Sequence, residues 1–504
     1  MYLVVIGILA LVLTLSGPVY PLVREVERTL AVVAGATLVP PAAAFLVARC
    51  VLRRLDRYPN QPSLGQATFG RGLMLVHFLL AACHAGALLT TDWLRICARL
   101  PVIGQWVIVP GLLSLVPFLV SIVLVWLTLY PADRAVRQIA LEVYLFRGRP
   151  LRPVWPLLQY LSYNLRHQVL FVLIPMLLIL AAHDLVVRYD RQIMRLTGLE
   201  FAPDAAVGLA ALAVALITPE ILRHVWITQR LPNGPLRDRL EHVAERLRLR
   251  CRDLLVWRSG GLIANAAVMG VVAPLRYVLI TDGMLEQMDD TKIEAVFGHE
   301  AGHVKRHHIL YLLLFAFISG CVVTIFTLRT GHLAGADREL YQLLATGLGV
   351  ALIIKWGVLF GWVSRRFERQ ADLFGVRTLT IGGTPCSQPC ALHGSGNGAG
   401  QPAAHLLCTT AAHIFGQALH EVAVLNGIRP EARSWRHSSI SSRARFVLEM
   451  AGDPRRALHF ERTVLLIKAT ILLAALVSGV WAAHELRIWS TLAAWLTGAR
   501  VLDE

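Results

Sequence analysis

Residues 296–308 read Val-Phe-Gly-His-Glu-Ala-Gly-His-Val-Lys-Arg-His-His, and the chain is best read outward from them. The approach from about Thr291 predicts a helix. On a helix His299 and His303 stand about 40° apart around the axis and one turn apart along it, so both imidazoles can close on a single ion. Glu300 projects about 100° from the first histidine, beside such an ion and within reach of a water bound to it. This is the HExxH arrangement. The bland alternative is a helix carrying ordinary surface histidines, since His307 and His308 show that the residue is common here.

Upstream of this helix, Leu236, Leu240, Val243 and Leu247 fall on one face of an amphipathic helix among Arg237, Arg239, Glu241 and Arg246. Three strand-like runs follow, Leu254–Arg258, Ile263–Gly270 and Tyr277–Thr281, with Ser259-Gly260-Gly261 as a turn between the first two. They predict a small antiparallel sheet leading into the HExxH helix.

Around this polar segment the chain is apolar. Of its 504 residues 56% are apolar and 16% charged, with a mean hydropathy of +0.56. Soluble globular chains carry about 25% charge, so a cytosolic enzyme and a disordered or collagen-like chain are excluded. The 49 basic residues outnumber the 33 acidic ones, leaving +16, which suits either a nucleic-acid binder or the inner loops of a membrane protein. A bilayer core of about 30 Å needs about 20 apolar residues of helix, and about nine candidate spans satisfy it. Their cores are 3–22, 30–48, 72–91, 105–129, 168–187, 205–223, 309–328, 342–363 and 463–483. Span one is read as uncleaved, because no basic residue precedes it. Pro40-Pro41 is expected to kink span two.

Arginine position then sets orientation. The loop after span two carries Arg49, Arg53, Arg54, Arg57 and Arg71 against Asp56. The loop after span four carries Arg134, Arg137, Arg147, Arg149, Arg152 and Arg166 against Asp133 and Glu142. The alternate loops are nearly balanced, so the N-terminus and the even-numbered loops are read as cytoplasmic. The excess charge is thus a topological signal, and no nucleic-acid partner is expected. The expected organisation is a six-span membrane region (1–223), a catalytic part with the small sheet and HExxH helix (224–308), a two-span hairpin (309–363), a second catalytic part (364–462), and a last span with an interfacial tail (463–504). The fold class is a predominantly α-helical multi-pass membrane protein with a cytoplasmic α+β domain.

A catalytic zinc takes a third protein ligand and keeps one position open. The segment Ser364-Arg365-Arg366-Phe367-Glu368-Arg369-Gln370-Ala371-Asp372 follows span eight, with Glu368 and Asp372 one helical turn apart. An even number of spans separates it from His299, so both lie on one side of the membrane. An odd number would have broken the zinc reading.

The pairing of GHEAGH with a downstream FERQAD resembles the integral-membrane zinc metallopeptidases that include the CAAX prenyl endopeptidase and the HtpX-type protease. Asn265-Ala266 ahead of Gly270 is similar to that family's substrate-side strand, and ITDGMLEQMDDTKIEAVFGHE to its approach to the metal helix. His437 with Arg443 six residues on is similar to its His-Pro…Arg element, with Ser438 in place of the proline. The resemblance covers about 230–450, and the span number departs from the family. It implies a zinc endopeptidase acting on membrane-associated peptides or proteins, with one Zn2+ per chain held by His299, His303 and Glu368. Glu300 would be the general base, His437 the oxyanion donor, Asp372 and Arg443 the supports of the ligands, and Asn265 and Ala266 the strand that pairs with substrate. For His437 a surface histidine in a Ser-rich loop stays open, and for Arg443 a structural salt bridge.

Other features say less. Residues 382–404 read as a Gly-rich insertion, in which Cys386, Cys390 and His393, with Cys408, fit no zinc spacing well. The eight cysteines are scattered and are read as mostly reduced. His77, His84, Glu220 and Lys355 lie inside spans, lining a water-filled cavity or bonding helix to helix. Trp489 and Trp495 suggest an interfacial tail helix. A multi-span transporter or a silent sensor or scaffold are the rival classes; the first lacks paired broken helices, and the second would be favoured by loss of a ligand or base. Scarce lysine, four residues in all, hints at a GC-rich genome and a bacterial inner membrane.

Overall fold

The computed structural model describes residues 22–99, 108–145, 154–261, 263–381, 384–387, 392, 406–432 and 437–491. They form two compact units. One holds the described residues up to Thr197 together with Ala202–Ile227, the other Gly198–Phe201 and the chain from Thr228 onward.

The first unit is built from long apolar helices: α1 (Val26–Arg57), α2 (Pro62–Thr90), α3 (Ile108–Leu145), α4 (Leu157–Arg188, with a π-helical turn at Leu165–Leu170) and α5 (Ala202–Val225). Its core joins Ala44, Ala48 and Val51 of α1 to Val76 of α2 and to Val125, Leu129 and Ala132 of α3. Small side chains let these backbones approach, which is how helices gain packing where lipid supplies no hydrophobic drive. Pro40 and Pro41 are buried inside α1. Each helix outruns the apolar core read from the sequence. Thus α3 carries Arg134 and Arg137, expected in a loop, and Arg137 Nε donates to Asp133 Oδ2 at 2.6 Å one turn back. Such i,i+4 pairing lets a helix continue beyond its apolar stretch.

The second unit carries the sheet, in the order β1-β2-β4-β3: β1 (Thr228–Arg230), β2 (Asp253–Trp257), β3 (Ala266–Met269) and β4 (Tyr277–Thr281). The expectation of an antiparallel sheet is corrected, because β2 and β4 run parallel while β1 on β2 and β3 on β4 are antiparallel. Ser259-Gly260 is no hairpin turn. The Asp282 carboxylate accepts from Ser259 N (2.9 Å), Ser259 Oγ (2.6 Å) and Gly260 N (3.0 Å), tying the loop to the end of β4 so that the chain passes it and returns as the far edge strand. Every residue of β4 is buried, as suits a strand paired on both sides.

Helices α6 (Pro235–Arg246) and α7 (Asp290–Lys305) precede two membrane helices, α8 (His308–Thr330) and α9 (Arg338–Ile354). A π-helical turn, Lys355–Leu359, carries α9 into α10 (Phe360–Ile381). Then come α11 (Thr409–Leu425), α12 (Ile440–Gly452) and α13 (Pro454–Glu485). Asp289 caps α7 by accepting from Lys292 N at 2.9 Å. Among the described residues eight helices are long and apolar enough to cross a bilayer, making this a multi-pass membrane protein; the predicted first span, 3–22, lies outside them but for Leu22. Of the polar residues inside spans, Lys355 bonds across to α8, donating to Phe315 O at 2.6 Å and Ser319 Oγ at 2.5 Å, Glu220 pairs with Arg223 at 2.5 Å, and His84 packs on Phe118 with a buried Nε2 that makes no hydrogen bond among the described residues.

Candidate metal centre

Two helices make the centre, and glycines set their distance. A Cβ on Gly298 would stand 2.6 Å from Thr378 Cβ, and one on Gly302 would stand 2.9 Å from Phe374 Cβ and 3.1 Å from Ala371 Cα. These hydrogens let α7 lie against α10, with Ile293, Ala295, Phe297 and Ala301 filling the core behind. The crossing brings Glu368 of α10 to His299 and His303 of α7.

His303 Nε2 lies 3.2 Å from His299 Nε2, and Glu368 reaches each ring at 3.7 Å. Among the described residues these three are the group whose donor atoms gather within 4.8 Å of one another. Tetrahedral bonds of about 2.1 Å separate donors by about 3.4 Å, so two imidazole nitrogens and a carboxylate oxygen here fit a zinc-like ion. Glu300 stands beside them, Oε2 accepting Val268 N of β3 at 3.2 Å. Loss of water around it and the nearby Glu368 charge raise its carboxyl to about 7.

Each imidazole is held from behind. Asp372 Oδ1 lies 2.9 Å from His299 Nδ1 and is itself gripped by Arg443, through Nη2 at 2.5 Å and Nε at 3.0 Å. That partner fixes the Nδ1–H tautomer and leaves Nε2 free for an ion. His303 Nδ1 instead meets His308 Nδ1 at 3.0 Å, and His308 Nε2 meets Gln370 Oε1 at 2.9 Å. Lys468 Nζ donates to the same amide oxygen at 2.9 Å, and Gln370 Nε2 donates to Glu461 at 2.5 Å. Since the amide oxygen only accepts, His308 Nε2 carries the proton, its Nδ1 accepts from His303 Nδ1–H, and His303 Nε2 is left unprotonated.

Arg443 also stands 3.5 Å from Glu368 Oε2, and His437 Nδ1 lies 3.1 Å from Glu368 Oε1 with its side chain 45% exposed. Ser438 has φ 62°, which a proline ring cannot adopt, so the departure from the family's His-Pro is a backbone difference. Asn265 spends its backbone on Thr281, its N–H donating to Thr281 Oγ1 and its carbonyl accepting Thr281 N. Two-residue alternation therefore turns the backbone of Ala266 and Val268 to the open edge, where Glu300 already takes the Val268 N–H. Asn426 holds the preceding loop, its amide donating to Ala264 O at 2.7 Å. Cys386 of the insertion and Cys408 beyond it stand with sulfurs 3.5 Å apart, while Cys390 and His393 lie outside the described residues. Sequence reasoning missed His308, Gln370, Glu461, Lys468 and Asn426. The first two stand inside the quoted motifs, but their partners lie at distances no local spacing displays.

A family model described as Peptidase family M48 matches residues 230–421. That segment is similar to the peptidases of this family. It contains His299, Glu300, His303 and Glu368, whereas His437 and Arg443 come from beyond the matched residues. The chain is 28% identical over 169 residues to the "Protease HtpX homolog" of Archaeoglobus fulgidus, covering 33% of this chain and 48% of that protein. It is 30% identical over 124 residues to the "Protease HtpX" of Nitrosococcus oceani, covering 22% and 41%. With the "CAAX prenyl protease 1 homolog" of Arabidopsis thaliana it shares 28% over 162 residues, covering 29% and 37%. The chain thus spans about half, or less, of the length of these relatives. The crystal structure of S. mikatae Ste24p aligns with a TM-score of 0.45 and 12% identity, over 83% of this chain and 98% of that one.

Proposed function

We propose that the protein is a zinc-dependent endopeptidase that cleaves membrane-associated peptides or proteins, working at the cytoplasmic face of a bacterial inner membrane. The observation that carries this reading is the meeting of His299, His303 and Glu368 donor atoms with Glu300 alongside. When bound, the cation supplies a Lewis acid that lowers the pKa of a water from about 15.7 toward about 7 and polarises a carbonyl. Glu300 takes the water's proton and later delivers it to the leaving amine. The His437 ring, half-exposed beside Glu368, swings its N–H to the developing oxyanion. Arg443 and Asp372 keep the His299 ring aimed, and the outward backbone of Ala266 and Val268 pairs with an extended substrate. Pairing there requires Glu300 to release the Val268 N–H, so substrate binding and freeing of the base are one event.

Glu300→Gln tests the mechanism. Hydrolysis of an unfolded model protein in detergent should fall by at least about 1,000-fold while elemental analysis still finds one zinc per chain. Full activity in that variant would sink the reading.

A further inference from the structure

The N-terminal turns of α10 and α13 and one side of α12 line a cavity of about 520 Å³. Its walls carry Arg366, Arg369, Arg445, Arg456 and His459 against one acid, Glu449. Glu449 is taken, with Arg456 at 3.3 Å. Among the described residues no carboxylate lies in ion-pair reach of Arg366, Arg369 or Arg445. Arg369 has a buried Nε–H with no acceptor, and its guanidinium rests over Phe446 at 4.9 Å. A second cavity of about 150 Å³ shares Arg366 and Arg369 and adds Arg365. Guanidiniums crowded in this way repel one another until an anion joins them. A carboxylate offers two oxygens and is filled by one fork; a phosphate offers oxygens in several directions and takes several.

On α13 the polar run Pro454–Thr463 gives way to an apolar one beginning at Val464, and on α10 the apolar run ends at Val363 just before Ser364-Arg365-Arg366. Both walls therefore change from polar to apolar at the cavity. The surface beyond it is apolar and uncovered: Leu465 is 65% and Leu466 69% exposed on α13, and Val358 61% and Leu359 50% on the π-helical turn leading into α10. The cavity's own inner wall is aromatic, Phe446 and Phe460 meeting edge to face at 5.0 Å. A dissolved anion has no use for an apolar margin, whereas a lipid has its phosphate at this depth and its chains along that margin.

We infer that this cavity seats the phosphate of an anionic phospholipid, with Arg366, Arg369 and Arg445 as its ligands and the acyl chains lying along α10 and α13. The site is separate from the metal centre and does not depend on peptidase activity. The test is the melting temperature of the delipidated, metal-loaded protein in neutral detergent, with phosphatidylglycerol, phosphatidylcholine or inorganic phosphate added. Phosphatidylglycerol should raise it by about 3–5 °C, and phosphatidylcholine by less than about 1 °C. The Arg366→Gln, Arg445→Gln double variant should lose the phosphatidylglycerol increment, and the corresponding double change to Lys should keep part of it. An equal increment from phosphatidylcholine, or an undiminished one in the glutamine variant, would overturn the proposal. A full increment from inorganic phosphate alone would overturn the lipid assignment and make the occupant a free anion. Should the glutamine variant not fold, native mass spectrometry of the wild-type protein decides: bound anionic lipid surviving delipidation supports the site, and its absence removes it.

Discussion

The two flanks of the proposed metal centre hold chemically identical imidazoles by opposite means. Behind His299 stands an ion pair, Asp372 clasped by Arg443. Behind His303 stands a chain of side chains, His308 then Gln370, ending on Lys468 and Glu461. Burial pulls the His299 ring down, yet Asp372 outweighs it and holds the ring above the usual imidazole range. Burial and the neighbouring His299 charge take His303 down to about 4. One ligand is thus electron-rich and proton-hungry, the other neutral without effort. The lesson is that a metal ligand's support has two separable duties, fixing the ring and setting its basicity, and here each flank stresses a different one.

Breaking the ionic flank should have the largest effect. Asp372→Ala strips buried Arg443 of its two short bonds and leaves it the 3.5 Å contact with Glu368, and losing one partner of a buried pair costs about 3–5 kcal/mol. The variant should unfold at clearly lower denaturant and retain little zinc; an unchanged midpoint would show that the pair is not structural. The other flank should yield less. His308→Phe keeps the parallel stacking on Phe367, where the rings lie 4.5 Å apart at 4°, but removes the acceptor for His303. Zinc affinity by competition with a chelating dye should drop about 10–100-fold with the fold intact. An affinity within twofold of wild type would make His308 a packing residue.

The smallest effect concerns protons. In the chelator-treated protein Glu300 is raised to about 7 and His299 is also raised, so both bind protons more tightly folded than unfolded. For each, the folded state loses stability as pH rises through the folded pKa. Zinc must displace the His299 proton and favours the Glu300 carboxylate, so its affinity rises over the same interval. The melting-temperature gap between zinc-loaded and chelated protein should therefore widen from about pH 6 to about pH 8, and Glu300→Gln should flatten that slope. A gap independent of pH would mean that neither group changes its proton on binding.

How legible this was depends on range. His299, Glu300 and His303 lie within five residues, and Glu368 and Asp372 within another five, so helical geometry alone displays them. The amphipathic face of α6 was readable for the same reason, Leu240 and Val243 both being buried. Sheet order was not, because whether Ser259-Gly260 turns back or crosses over is decided by Asp282, more than twenty residues away. Support for His303 was hidden likewise: Gln370 stands 62 residues from His308, and Lys468 a further 98 from Gln370. Helix length was underestimated because hydropathy marks what lipid must cover, whereas a helix stops only when its backbone is made to.

Gly298 and Gly302 can finally be read as a question of tolerance. Metal bonds accept errors of about 0.2 Å, whereas two carbons 2.9 Å apart lie at least about half an ångström inside ordinary contact. At Gly302 the Cβ of an alanine would fall 2.9 Å from the nearest carbon, so α10 would have to retreat and take Glu368 with it. The aperture of the centre is therefore gauged by two hydrogen atoms on α7, a dimension machined into the helix pair before any ligand is chosen.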